Sequence, residues 1–422
     1  VRGIRKASDF LMGLQLTGAA KDDSLANMQV RLPLGVIGGG LTAIDTTTEL
    51  MAYYPKQVEK TLKRYEILCR ELGEDTVRAR FDEEELGVLD EFLGHGRAVV
   101  AERARAQAAH DEPDFSPLVR SWGGVTLFYR KALSDSPAYR QNHEEINEAL
   151  KEGIEIAAGM NPLEALTDER GALRAVIFEH LLDDGSKHRI EVPLRGLFVA
   201  AGTSPNTIYE AENPGTFTVE GKFFARFEPD AAGARPAFAP GVGEGGPKTA
   251  LPAPFTSYGK DGRYVTFYGD NHPVYAGNVV KAMASAKDGY PYVAALFAHE
   301  RASLSPAEQP TRDAALRRFF GDLDDGFIAR VVEVNRLTPT IIEVIARAPF
   351  AARRFEPGQF YRVQNLEALA PVAGDTKLTT EGLALTGAWV KKEEGLVSLI
   401  ALEMGASSRL LQRFKVGEPL VV

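Results

Sequence analysis

The sequence predicts an α/β protein in which a doubly wound domain on a parallel sheet is followed by a small antiparallel β-barrel. Three observations predict it. A short apolar run, LGVIG (34–38), ends in three glycines and leads into a helical pattern. Strand-like and helix-like segments then alternate as far as residue 202, the arrangement of a doubly wound sheet. From Phe327 the chain changes to closely spaced alternating segments: FIARVVEVN, TIIEVIARA, QFYRVQN, LALTGAWV and LVSLIALE. That density of short strands with turn signals between them predicts a barrel.

Each element follows in order. A helix is expected from Thr42 to Tyr53, and Pro55 restarts one in PKQVEKTLKRYEILCREL, because proline suits a first helical turn. Two charged helices are expected near residues 82–94 and 96–109, ended by DEPDFSP. Strands are expected at GVTLFY (124–129), IEIAAGM (154–160), LRAVIFEHLL (173–182) and LRGLFVAAG (194–202). Between the first two, NHEEINEALKEG reads as a helix with Ile146, Ala149 and Leu150 on one apolar side. Residues 228–256, rich in Pro, Gly and Ala, read as a long loop. YVTFYGD (264–270) reads as a strand and VYAGNVVKAMASAKDG as the helix after it. No repeat of fixed period is present.

Bulk composition bounds the function. A chain of 422 residues allows two to four domains, and 44% hydrophobic with 25% charged residues is globular. A net charge of −9 argues against nucleic acid as the main partner. No apolar run reaches about 18 residues, so no membrane span is expected. The basic start, VRGIRKASDFLMGLQ, lacks the apolar core and cleavage site of a signal peptide, so the expected location is cytoplasmic. It opens on Val rather than Met and reads like the middle of a longer chain.

The single cysteine, Cys69, excludes an internal disulfide, a Cys-x-x-Cys redox pair and an iron–sulfur cluster held by several cysteines of this chain. It is expected to be a buried structural thiol. Electrons handled here must then move through organic cofactors or through clusters on other polypeptides. The seven histidines (His95, His110, His143, His180, His188, His272, His299) show no metal-ligand spacing, so no metal site is expected. No residue stands out as an acid, base or nucleophile.

Gly38-Gly39-Gly40-Leu41-Thr42-Ala43 fits G-x-G-x-x-A between an expected strand and an expected helix. In that pattern the first glycine permits a tight turn, the second lets backbone approach a pyrophosphate, and the small sixth residue lets helix pack on strand. Helix-start amides then face the phosphates. The alternative is a tight strand–helix turn with no ligand. A plain NAD site carries a carboxylate at the end of the next strand. Here GVTLFY ends in Tyr129-Arg130-Lys131 with Arg140 nearby, and two cations suit the 2′-phosphate of NADPH. A solvated basic turn is the alternative.

The segments GVIGGGLTAID, VTLFYRK, PAYRQNHEEINEALKEGIEI and GLFVAAGTSPN, in this order, resemble the small subunit of glutamate synthase and its relatives. These are two-dinucleotide-domain flavoproteins related to the pyridine nucleotide–disulfide reductases. The resemblance covers roughly residues 1–300 and implies an NADPH domain inserted in a partial FAD-binding domain. It divides the chain into a crossing segment (1–32), the NADPH domain (33–205) with a helical insertion (55–123), and the C-terminal part of the FAD domain (206–322). It implies that Gly38, Gly39, Gly40, Thr42 and Ala43 border the pyrophosphate, that Arg130 and Lys131 hold the adenosine phosphate, and that Gly202 closes over the cofactor. Tyr268-Gly269-Asp270 becomes the second FAD motif. Asp270 accepts from the ribityl chain, Gly269 allows close approach, and a helix opening at Asn278 and Val279 faces the flavin pyrimidine. Without the family, Gly-Asp before a helix is a common turn. The first FAD fingerprint of the family is missing from this chain. The insertion reads either as a docking surface for a partner domain or as a decorated edge.

FEPGQFYRVQN, LALTGAWV and EMGASSRLLQRFKVGEPLVV are similar to the flavin-binding barrel of the ferredoxin reductase superfamily, with the nearest match among electron-transfer subunits of dihydroorotate dehydrogenase and NADH-dependent ferredoxin:NADP oxidoreductases. The resemblance makes 326–422 an incomplete FAD-binding barrel. It places Pro357-Gly358-Gln359-Phe360 on an early strand, Leu385-Thr386 along the isoalloxazine, and Gly405-Ala406-Ser407-Ser408 at the FAD phosphates. Gly382 stands where the family has an arginine. A barrel that packs and binds nothing is the alternative. Together these resemblances imply hydride exchange between NADPH and FAD, with electrons passed to another domain or subunit of a redox complex, iron–sulfur proteins included. The rival reading is a non-catalytic nucleotide-binding or assembly module.

Overall fold

The computed structural model describes residues 1–182, 184–202, 204–229, 238–240, 252–260, 263–277 and 279–422. They form two units, the first of Val1–Gly202 with Phe320–Val422, the second of Thr203–Phe319.

The first unit opens with β1 (Ile4–Lys6), α1 (Ala7–Thr17), β2 (Leu34–Ile37) and the long α2 (Leu41–Leu72). Next come α3 (Glu74–Arg78), α4 (Glu83–Ala109), α5 (Ser116–Ser121), β3 (Val125–Phe128), α6 (Pro137–Lys151) and β4 (Glu155–Ala157). An antiparallel three-stranded sheet of β5 (Met160–Thr167), β6 (Leu173–Leu181) and β7 (Lys187–Pro193) precedes β8 (Gly196–Val199). The main sheet is parallel, in the order β1-β8-β2-β3-β4. Its central strands read as continuous apolar runs because both faces are covered: Leu34, Val36, Val125, Leu127, Leu197 and Phe198 are all buried. The predicted doubly wound domain is present.

Several boundaries differ from expectation. Pro55 does not restart a helix; α2 runs straight through it. The proline removes one helical hydrogen bond, a cost of about 3 kcal/mol, but Met51, Tyr54, Pro55 and Val58 are buried and that packing holds the helix. The two helices expected at 82–94 and 96–109 are one, α4, started by a reciprocal cap in which Asp82 accepts the Glu85 amide at 2.8 Å and Glu85 accepts the Asp82 amide at 2.9 Å. Gly96, read as the start of the second helix, lies inside α4 and is a helix contact. A Cβ there would stand 2.6 Å from the Val58 carbonyl oxygen, so only glycine lets α4 approach α2 this closely. The segment 154–160 is two strands, because Gly159 takes φ +74 and turns the chain from β4 into β5. Helix α6 adds a short helical piece from Pro137, capped by Ser136, ahead of a kink at Asn142 (φ −156, ψ 81), where the helix read from the sequence begins; Ile146 and Ala149 are buried but Leu150 is 42% exposed. Cys69 is half-buried rather than buried, beside a small cluster of Leu62, Tyr65, Val77, Leu89 and Leu93.

The second unit holds α7 (Ile208–Glu212), a hairpin of β9 (Val219–Glu220) and β10 (Phe223–Phe224), and a four-stranded antiparallel sheet. That sheet contains β11 (Phe227–Pro229), β12 (Phe238–Pro240), β13 (Phe255–Lys260) and β14 (Arg263–Thr266), in the order β12-β11-β13-β14. Most of the loop read at 228–256 lies outside the described residues; its described parts include strand. The strand read at 264–270 ends at Thr266, before a 3₁₀ turn at Gly269–Asn271 in which Gly269 has φ +65. Then come α8 (Val279–Leu296), α9 (Ala298–Ala302) and α10 (Gln309–Phe327). The helix read from Val274 thus starts at Val279.

Phe327 closes a helix, and the barrel begins two residues later. It contains β15 (Ala329–Thr338), β16 (Ile341–Arg347), α11 (Pro349–Arg353), β17 (Phe360–Asn365), the hairpin β18 (Val372–Ala373) and β19 (Thr376–Lys377), β20 (Leu383–Lys391), β21 (Leu396–Leu402), α12 (Ala406–Leu410) and β22 (Pro419–Val421). The predicted antiparallel barrel is present: six strands close in the order β15-β16-β21-β20-β17-β22 around Val331, Val344, Val363, Leu385, Val397, Leu399 and Leu420. The unpredicted β22 supplies closure by pairing with both β15 and β17.

The β18–β19 hairpin meets the chain that precedes β2. The Lys377 amide donates to the Asp23 carbonyl at 2.8 Å, Lys21 pairs with Glu367 at 2.6 Å, and Lys63 of α2 pairs with Asp375. Part of the insertion surface is therefore taken by the chain's own barrel. Among the described residues no helix is long and apolar enough to cross a membrane.

Candidate functional site

The carboxyl ends of β8, β2 and β3 stand side by side, because Ile37 of β2 is in register with Val199 on one side and Phe128 on the other. Strand order reverses at β2: β3 and β4 lie to one side of it, β8 and β1 to the other. In open α/β sheets ligands bind outside the carboxyl ends at such a switch point. The glycine turn sits there.

Each glycine of the turn has a separate physical reason. A Cβ on Gly38 would stand 2.6 Å from the Ala200 carbonyl oxygen and 2.8 Å from the Ala43 Cβ, so Gly38 answers close packing of strand, helix and neighbouring loop rather than an unusual φ. Ala43 is fully buried in that contact. A Cβ on Gly39 would meet the Tyr129 ring at 2.2 Å. Gly40 is the opposite case, with no atom within 4 Å of the place its Cβ would take. It caps α2 without a side chain, and among the described residues the first-turn amides of Leu41 and Thr42 have no acceptor. Thr42 is exposed and its carbonyl receives the Thr46 hydroxyl at 2.6 Å. Open space over free amides at the positive end of a 32-residue helix fits a pyrophosphate.

The turn is braced from both sides. The Gly38 amide donates to the Phe128 carbonyl at 3.1 Å, the Ala200 amide to that of Ile37 at 2.7 Å, and the Ala138 amide, in the first turn of α6, to that of Gly39 at 2.9 Å. The sequence marked Tyr129 only as a strand end and did not single out Ala138, since neither belongs to the glycine pattern. Arg130 and Lys131 follow β3 with Tyr129 between, both exposed and without an ion-pair partner among the described residues. Arg140 is already paired with Asp135 at 2.9 Å. Gly202, three residues past β8, has φ +106 and open space around it. The structure thus brings Gly38–Ala43, Arg130, Lys131 and Gly202 to one edge.

The flavin candidates fall in two other places. In the second unit the Gly269 amide donates to the Ser285 hydroxyl at 2.8 Å, and the exposed Asp270 carboxylate accepts the Gly277 amide at 3.1 Å. One Asp270 oxygen is therefore engaged within its own loop. Val279 opens α8 and is 73% exposed, while Asn278 lies outside the described residues.

On the barrel, Thr386 is exposed and opposite Phe360 in the β17–β20 register. Ser407 accepts the Glu381 amide at 3.2 Å, which ties the turn before α12 to the approach to β20. Ser408 turns inward, accepting the amides of Met404 and Gly405 at 3.0 Å each. Gly405 itself has open space around it. Beside them Arg362, one strand over on β17, lies across Gly382: a Cβ on Gly382 would stand 2.1 Å from Arg362 Nε. A guanidinium from the neighbouring strand thus lies beside position 382. No local motif marks it; only the cross-strand register reveals it.

No family model matches the chain. Over 423 residues it is 29% identical to an uncharacterized protein of Rickettsia prowazekii, covering 100% of this chain and 50% of that relative. The chain thus spans about half the length of the curated relative it matches. Among solved structures it is similar to a Lactococcus lactis thioredoxin reductase, at 13% identity with 69% of this chain and 58% of that chain covered and a TM-score of 0.29. It is also similar to an NADH-dependent reduced ferredoxin-NADP oxidoreductase, at 20% identity with 22% and 30% covered and a TM-score of 0.19. Scores this low carry no functional argument.

Proposed function

We propose that this chain is a flavin-dependent oxidoreductase module that binds NADPH at the carboxyl edge of its parallel sheet and FAD at the barrel and the second unit, and passes electrons to another domain or subunit. One observation carries the reading: an open glycine turn at the start of α2 stands at the switch point, with two exposed cations just past the end of the adjacent strand. The bound cofactors would supply the hydride chemistry. The chain's own residues position and bind. Amides at Gly40, Leu41 and Thr42 would hold the diphosphate, and Gly38, Gly39 and Ala43 keep the turn tight enough for those amides to point outward. Arg130 and Lys131 would select the 2′-phosphate, an Arg fork being suited to bidentate contact. On the barrel, Thr386, Gly405 and Ser407 with Arg362 would hold flavin phosphates and ring. Ser408 would serve by fixing their turn, and Gly269 and Asp270 by shaping a flavin contact in the second unit.

Calorimetry with NADPH and NADH tests the reading. A preference for NADPH of about tenfold or more is expected from one added charge-assisted contact. Absence of affinity for both would overturn it. NADPH binding with no flavin uptake would leave only a nucleotide-binding assembly module.

A further inference from the structure

The helical insertion carries a cavity that the nucleotide reading does not use. It encloses about 250 Å³ between α2, α3, α4 and the chain that precedes β2. One side is apolar, with Leu25, Val77, Phe81 and Leu89, and the other presents Asn27, Lys60 and Arg64. We propose that this cavity binds a small organic carboxylate, its apolar body against the first side and its carboxylate on Arg64. Lys60 stands about 28 Å along α2 from the glycine turn, at about 1.5 Å per residue, so this site is separate from the dinucleotide edge.

Unbalanced charge points to an anion. Lys60 is 7% exposed and Arg64 is half-buried, one helical turn apart on the same face of α2. Buried cations are ordinarily paired with carboxylates, because removing an isolated charge from water is costly. Here neither cation belongs to an ion pair among the described residues, and the acids around them are committed elsewhere. Asp22 pairs with Lys56 at 2.9 Å, Asp23 with Lys377 at 3.5 Å and Asp375 with Lys63, while Glu74 accepts the Tyr65 hydroxyl at 2.8 Å. Burial pushes the Lys60 ammonium down to about 8 and lowers the Arg64 guanidinium as well.

The two cations have different tasks. Lys60 fixes the wall, its Nζ donating to the carbonyls of Ala19 at 2.7 Å, Lys21 at 2.8 Å and Ala26 at 3.4 Å. Arg64 Nη2 donates to the Ser24 carbonyl, and the other Arg64 donors have no acceptor among the described residues. Two N–H groups along one guanidinium edge suit the two oxygens of a carboxylate. Asn27 Oδ1 accepts the Gln29 amide at 2.8 Å, which leaves its Nδ2 as a further donor. On the apolar side Val77 and Leu89 are buried and Phe81 is 37% exposed. An apolar body laid on that ring removes it from water, which inorganic phosphate cannot do. At about 30 Å³ per water-sized group the cavity has room for about eight non-hydrogen atoms.

Hexanoate, its neutral analogue hexanamide and inorganic phosphate are titrated calorimetrically into the chain and into its Arg64→Met variant, which keeps an apolar stem and loses the charge. Hexanoate should bind the unmodified chain about tenfold or more tighter than hexanamide, the difference made by one charge-assisted contact, and tighter than phosphate. Arg64→Met should bring hexanoate down to the level of hexanamide and leave hexanamide unchanged. Equal binding of acid and amide to the unmodified chain, binding of neither, or phosphate matching hexanoate would overturn the proposal. So would a variant that loses acid and amide in equal measure, since the carboxylate would then not rest on Arg64. Should Arg64→Met fail to fold, Asn27→Asp places a negative charge on the same side of the cavity. It should weaken hexanoate about tenfold with hexanamide unchanged, and an undiminished hexanoate affinity would count against the site as decisively.

Discussion

The Tyr129 ring lies across the backbone of Gly39, so that a Cβ at residue 39 would stand 2.2 Å from its Cε2. Strand end and glycine turn are thereby locked as one piece. Gly39→Ala must push that ring aside, and a loss of about 1–3 kcal/mol of stability is expected from the overpacking. Gly40→Ala meets nothing within 4 Å and should cost less than about 1 kcal/mol, the usual difference at a helix cap. Its methyl would occupy the space proposed for the diphosphate, so NADPH affinity should drop about tenfold. Urea unfolding and calorimetry on both variants check the contrast. Equal stability losses would show that the turn is not built as described.

Arg130→Glu with Lys131→Glu should weaken NADPH by about ten- to a hundredfold, the worth of one or two charge-assisted contacts, and change NADH little. Arg140→Ala is the control, because Arg140 is occupied by Asp135. Both cations are exposed, so NADPH affinity should also fall as salt rises. A double variant that loses both nucleotides equally would move the 2′-phosphate elsewhere.

His272 is 1% exposed; its Nε2 lies 3.3 Å from the Ala253 carbonyl and its Nδ1 accepts the Val274 amide at 3.3 Å. Burial pushes its pKa down to about 4 from the ordinary 6.5. The unfolded chain therefore holds a proton between those values that the folded one must release. Stability is full above about pH 6.5 and falls as acid is added toward about pH 4, with a limiting slope of about 1.4 kcal/mol per pH unit. The comparison is urea unfolding at several pH values with and without His272→Gln. An unchanged slope in the variant would assign the acid sensitivity to other groups.

How much of this was legible in the sequence depends on how local each cause is. The glycine turn was legible because Gly38, Gly40 and Ala43 answer constraints inside one strand–turn–helix, and the barrel because alternation is a local pattern. Pro55 misled, since its local preference for a first turn is overridden by burial against the sheet and α4. The division read between residues 94 and 96 misled likewise: α4 is continuous there, and its Gly96 answers the Val58 carbonyl 38 residues earlier. Arg362 was invisible for the same reason, since its place beside Gly382 depends on β17–β20 register. Long-range pairing is not written in spacing.

The barrel's hold on the segment before β2 is mostly ionic, and that gives the final prediction. Lys21–Glu367, Lys63–Asp375 and Lys377–Asp23 join the two regions, all with substantially exposed side chains, and one backbone hydrogen bond, from the Lys377 amide to Asp23, runs among them. Exposed pairs are individually weak and are screened as the Debye length shrinks from about 8 Å at physiological salt to about 3 Å at 1 M. Hydrogen exchange at the Lys377 amide should therefore quicken several-fold in strong salt, and Lys63→Glu should produce the same effect in weak salt. Charge reversal on both sides, Lys63→Glu with Asp375→Lys, should restore protection, because the pair is re-formed with its signs exchanged. If that amide exchanges at one rate in every case, apolar contacts rather than these charges hold the hairpin in place.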